Sequence, residues 1–67
     1  MNNMKYHNGY LPKIAYWMWM GNTDKVMYFV NRQIMKYGAM EQDDWATATR
    51  IYNKLEAEYE EEINTRF

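Results

Sequence analysis

Apolar side chains in the last third of the chain recur at a helical step. Trp45, Ala48, Tyr52, Leu55 and Tyr59 advance by three or four residues at a time, and Ile51 widens the stripe into a face. That spacing gathers the side chains on one side of an α-helix, so the pattern predicts a helix over about 41–63, the longest regular segment of the chain. A second stripe, Val26, Val30, Ile34 and Tyr37 with Met27 beside it, predicts a helix over 23–37. Thr23 or Asn22 suits its N-cap, Asp24 and Lys36 stand at the ends the helix dipole favours, and Gly38 follows the last turn.

Between Pro12 and Gly21 the chain reads Lys-Ile-Ala-Tyr-Trp-Met-Trp-Met, apolar almost all round. The aromatic content would suit a strand. Pro at the first turn and Gly just past the last one favour a helix over 12–20. A helix without a polar face is covered on several sides, or covered on one and adhesive on the other. Trp17 and Trp19, two residues apart, point about 200° from each other on such a helix, so one of them is expected to be exposed or in an interface. Residues 1–11 show no period and are expected to form an irregular arm. Asn8-Gly9 is a turn signal there, and Tyr6 and Tyr10 flank it as possible partners in a small hairpin. The elements add up to an all-α fold: one compact three-helix domain over residues 1–67.

Composition sharpens this. Sixty-seven residues bury only about 60% of the unfolded chain's surface, and there is no cysteine to staple the fold. Seven Tyr, three Trp, two Phe and seven Met are more than so small a core can hold, so part of this surface is expected to face partners. Charge is polarised. Residues 1–37 carry Lys5, Lys13, Lys25, Arg32 and Lys36 against Asp24, whereas residues 38–67 carry eight acidic side chains against Arg50, Lys54 and Arg66. The expectation is that the two halves pack together. The one long apolar run, Ile14 to Met20, is far short of the roughly 20 residues that span a bilayer. No secretory signal pattern is seen, so a cytoplasmic protein with no membrane association is expected.

Catalytic chemistry finds little purchase. The single histidine, His7, lies in the least regular part of the chain, there is no serine, and Thr47, Thr49 and Thr65 have no histidine near them. General-base and nucleophilic catalysis need such groups oriented against one another, so an enzyme is not expected. Nor is a metal or a cofactor. Glu56, Glu58, Glu60, Glu61 and Glu62 point around a helix instead of lining a tight loop, and the three glycines are scattered.

Binding remains. Asp43 and Asp44 sit where the dipole of the last helix welcomes anions, but Glu60, Glu61 and Glu62 sit where it opposes them. That mismatch, together with Glu56 and Glu58, marks the acidic helix as the expected contact surface, with Trp17 or Trp19 as an anchor. Its partner is expected to be a protein with a basic surface. Carboxylates spaced along a helix can imitate a row of phosphates, so the expected role is a small inhibitor or adaptor of the phage or mobile-element type, including anti-restriction and anti-CRISPR proteins, acting on a host nucleic-acid-processing protein. Two alternatives stand beside it. A nucleic-acid-binding regulator, as a homodimer, would use the stripe Lys25, Tyr28, Arg32 and Lys36, although three cations on a chain of net charge −1 make a poor footprint for DNA. The other alternative is a structural subunit of a larger assembly.

Overall fold

Among the described residues, Leu11, Ile14, Ala15 and Ala48 are the apolar side chains fully removed from solvent, three of them from the short helix in the middle of the fold. In a computed structural model of the chain, which describes residues 9–66 (side chains up to Asn64), the order is α1 (Leu11–Met20), α2 (Thr23–Tyr37) and α3 (Gln42–Arg66). All regular structure among the described residues is helical, so the expected all-α three-helix fold is the one that forms. The arm and hairpin expected around Asn8 fall outside the described residues, except that Gly9 and Tyr10 form a turn leading straight into α1.

Local chemistry sets the helix ends. Pro12 lies in the first turn of α1, where its missing N–H leaves no helical bond unmade. Gly21 closes α1 with φ at 77°, and the N–H groups of Gly21 and Asn22 donate to the Met18 and Trp17 carbonyls at 3.1 and 3.0 Å. Asn22 then caps α2, its Oδ1 accepting the Lys25 N–H at 3.1 Å. At the start of α3, Asp44 Oδ2 accepts the Glu41 N–H at 3.0 Å, and the Asp44 N–H donates to the Glu41 carbonyl at 2.9 Å. This is one half of a capping box, and it draws the Asp44 side chain into a buried position.

α1 is the shared middle of the fold. It packs against α2 and against α3, which do not pack on each other. α2 runs antiparallel to α1: Tyr10 meets Phe29 at one end, and Lys25 covers the Trp17 ring at the other. α3 runs parallel to α1, its middle beside Trp17 and Met18 and its later turns beside Trp19. The two halves therefore do pack together, but through α1, and the basic helix does not meet the acidic one. A helix with apolar residues all round is what this position requires, since it is covered from two directions.

The covered face of α2 keeps three residues of the predicted stripe, Val26, Val30 and Tyr37, but is rotated so that Ile34 and the flanking Met27 fall outside it. Val26, Phe29, Val30 and Tyr37 are partly covered around a fully buried Gln33, whereas Met27 and Ile34 are exposed. A buried amide is costly without a partner. Gln33 has one, because its Oε1 accepts the Tyr10 N–H at 2.7 Å. This bond ties the entry of α1 to the later half of α2 and brings Gly9 against both Gln33 and Tyr37. On α3 the predicted face holds in its middle, with Ala48 buried and Ile51, Tyr52 and Leu55 half-buried. Its two aromatic ends, Trp45 and Tyr59, are 42% and 49% exposed.

Candidate functional site

Length decides what α3 presents. At about 1.5 Å per residue its 25 residues extend roughly 37 Å, against about 15 Å for the 10 of α1. Near the C-terminus of α1, Trp19 donates its indole N–H to Glu56 Oε1 at 2.7 Å, and its ring meets Tyr59 edge-on at 5.6 Å. Beyond that point α1 has ended, and α3 runs on as an overhang. Tyr59 and Ile63, one helical turn apart, form a shallow apolar strip beside Glu60 and Asn64. Glu58, Glu60, Glu61 and Glu62 are all exposed.

The expected acidic surface is thus divided. Glu58 to Glu62 stand together on the overhang, and Glu56 is drawn towards Trp19. Asp43 is exposed at the far end of the helix, and Asp44 is buried and occupied with the Glu41 N–H. The two tryptophans are divided as well. Trp17 and Trp19 are both half-buried, Trp17 on the α2 side under Lys25 and Trp19 on the α3 side against Tyr59. Their opposed directions are accommodated because α1 has a neighbour on each side.

The basic stripe keeps to α2 and is laced with rings. Arg32 stands 5.7 Å from the Tyr28 ring centre and 5.8 Å from that of Tyr10, Lys25 stands 5.5 Å from that of Trp17, and Lys36 stands 5.6 Å from that of Tyr37. Such cation–π contacts hold a cation near the surface while leaving it reachable from solvent. The Arg32 guanidinium acts on Tyr10 first through a hydrogen bond to its hydroxyl, then through its charge. It lowers the Tyr10 hydroxyl from its ordinary value, and the same contact raises Arg32. Tyr10, Arg32, Met35 and Lys36 line a groove of about 220 Å³, with Met35 85% exposed. Neither Met35 nor Ile63 was expected in a site. Met35 stands two residues, about 200° of helix, from Gln33. It is a surface residue only once the buried face is known to centre on Gln33.

A larger groove of about 520 Å³ opens where α2 and α3 diverge, floored by Trp17 and Met18 and walled by Val26, Thr49, Tyr52 and Asn53. No Asp, Glu, His, Lys or Arg side chain lines it. Among the described residues no cluster of three His, Asp or Glu side chains is placed to hold a metal ion, and no helix is long and apolar enough to cross a membrane. No family model, no curated protein and no solved structure matches the chain. The geometry of the site therefore carries the functional reading.

Proposed function

We propose that this chain is a non-enzymatic protein-binding module, an inhibitor or adaptor, that docks the overhanging end of α3 on a basic surface of a protein partner. The observation that carries this reading is the overhang: a shallow apolar strip of Tyr59, about half exposed beyond its Trp19 contact, and Ile63, lined by Glu60, on the same last turns as the exposed carboxylates of Glu58, Glu61 and Glu62. The apolar strip supplies area to bury, and the charges speed encounter and select against acidic surfaces. Where the basic surface is a nucleic-acid groove, the row of carboxylates stands in for phosphates and the module competes with the nucleic acid.

The test is affinity capture from lysate with and without nuclease, repeated with Glu58, Glu60, Glu61 and Glu62 all changed to Lys. A stoichiometric protein captured in both conditions by the wild type and lost with the variant is the expected result. The far-UV circular dichroism of the variant should hold or rise, since Lys suits the C-terminal end of a helix dipole. Capture that is unchanged in the variant refutes the reading. Capture that disappears on nuclease treatment transfers the function to Lys25, Tyr28, Arg32 and Lys36, whose cations are exposed beside aromatic rings.

A further inference from the structure

α2 is a 15-residue helix with one fully buried side chain, and that one is polar. Its outer side carries Met27, Tyr28, Ile34 and Met35, all exposed. On a helix of about 3.6 residues per turn these four fall on one face, which the exposed Asn31 and Asp24 share, and Arg32, Lys25 and Lys36 fall along one border of it. The face thus combines an apolar stripe with a cationic edge, continuing into the groove of Tyr10, Arg32, Met35 and Lys36. No other element of the described chain covers it, because α1 takes the opposite side and α3 packs only on α1.

The element that fits it is present in the same sequence. The end of α3 pairs an apolar strip, Tyr59 and Ile63, with Glu58 and Glu60. Within one molecule the two cannot meet. α3 is held on its own side of α1 by the Trp19 contacts to Glu56 and Tyr59, and the Met35 end of α2 lies at the opposite end of α1 from the overhang. Two α2 faces are a poor match for each other, since each brings three cations against one Asp24. We infer that the outer face of α2 docks the acidic end of α3 from a second copy of this chain, head to tail. This inference rests on the reading of the overhang as a docking element and names one occupant for the complementary face. Donor and acceptor surfaces lie on opposite flanks of α1, so the contact is heterologous and propagates into a ring or a chain of copies instead of stopping at a two-fold dimer.

A charge swap tests this on the full chain. Sedimentation velocity over a concentration series should show wild-type mass at least doubling as concentration rises, and falling back towards monomer in high salt. The variant R32E/K36E and the variant E58K/E60K should each sediment as monomers, the first because both faces are acidic and the second because the two new lysines offset Glu61 and Glu62 and leave the cationic face no acidic partner. An equimolar mixture of the two should recover the association. Helical circular dichroism for each variant, matched to wild type, establishes that the monomers are folded. A wild type that stays monomeric overturns the inference, as does association that survives either variant or a mixture that fails to recover. Lysate capture with R32E/K36E, which keeps the glutamates, separates the two readings. Retained capture beside a monomeric wild type removes self-association and leaves the docking reading standing. A working charge swap without foreign capture upholds self-association and removes the foreign partner.

Discussion

Gly9→Ala is the substitution for which the structure makes the sharpest demand. Gly9 has φ at +44°, in the left-handed region, and a methyl group there would lie 2.7 Å from Gln33 Oε1 and 2.7 Å from a Tyr37 ring carbon. The backbone conformation alone costs a residue with a Cβ about 1–2 kcal/mol. The contact adds to this, because the Gln33 oxygen is the acceptor for the Tyr10 N–H and cannot retreat without leaving that bond. Leaving a buried polar pair unsatisfied costs about 1–3 kcal/mol. The sum is about 2–5 kcal/mol. A chain of this length has only about 3–10 kcal/mol in all, at roughly 0.05–0.15 kcal/mol per residue. Gly21→Ala provides the control. Its φ is +77°, yet nothing lies within 4 Å of the added methyl, so only the conformational part, about 1–2 kcal/mol, applies. Urea unfolding followed by tryptophan fluorescence and far-UV circular dichroism gives both values at a common slope. Gly9→Ala should be the more damaging by at least about 1 kcal/mol, equivalent to about 4–8 °C in a domain of this size. Equal costs would show that Gly9 is not pressed against Gln33, and the tie between the start of α1 and α2 would fall with it.

Other expectations follow from single contacts. Asp44→Ala should destabilise by about 1 kcal/mol through loss of the bond to the Glu41 N–H, whereas Asp43→Ala, at an exposed position, should cost a few tenths; chemical unfolding of the pair checks the difference. Trp19→Phe keeps a ring beside Tyr59 but removes the indole donor to Glu56, and should cost about 0.5–1.5 kcal/mol in the same assay. Arg32→Ala should raise the titration midpoint of Tyr10, followed residue by residue in NMR spectra, towards the ordinary tyrosine value from its lowered position. The sign for folding follows. A lowered tyrosine value favours the folded state above the unfolded-state value, and that contribution fades as pH falls through the folded-state value. It therefore acts only at alkaline pH, and Arg32→Ala should leave the neutral-pH part of the stability profile unchanged in shape.

What the sequence made legible was mostly local. Pro12, Gly21 and Asn22 act through their own backbone or that of residues within a turn, and the ends of α1 and the start of α2 followed from them. The period of Ala48, Tyr52 and Leu55 correctly oriented the middle of α3, because neighbours on one helix share one environment. What escaped was non-local. The burial of Gln33 depends on an N–H 23 residues away, so an apolar-stripe reading of α2 found Val26, Val30 and Tyr37 on the covered side but placed Ile34 inward and missed Gln33 at its centre. The two halves do pack together as expected, but the contact is made by α1, whose one charge is Lys13, and the cations of α2 do not meet the carboxylates of α3. The overhang was illegible for a related reason: it is a difference in length between α1 and α3, and it appears only once the two are known to run side by side.

The position of α1 also constrains how the two flanks of the molecule communicate. Since α2 and α3 do not pack on each other, among the described helices α1 is the packed element through which an event at the acidic end can be felt at the basic face. Trp17 and Trp19 both lie on that path, one leaning towards each flank from within a single turn of the same short helix. Thermodynamic coupling across such a bridge is bounded by how far one tryptophan can move before it repositions the other. A double-mutant cycle pairing Trp17 with Trp19 would measure that bound, and its size sets whether occupancy of one flank can alter the affinity of the other.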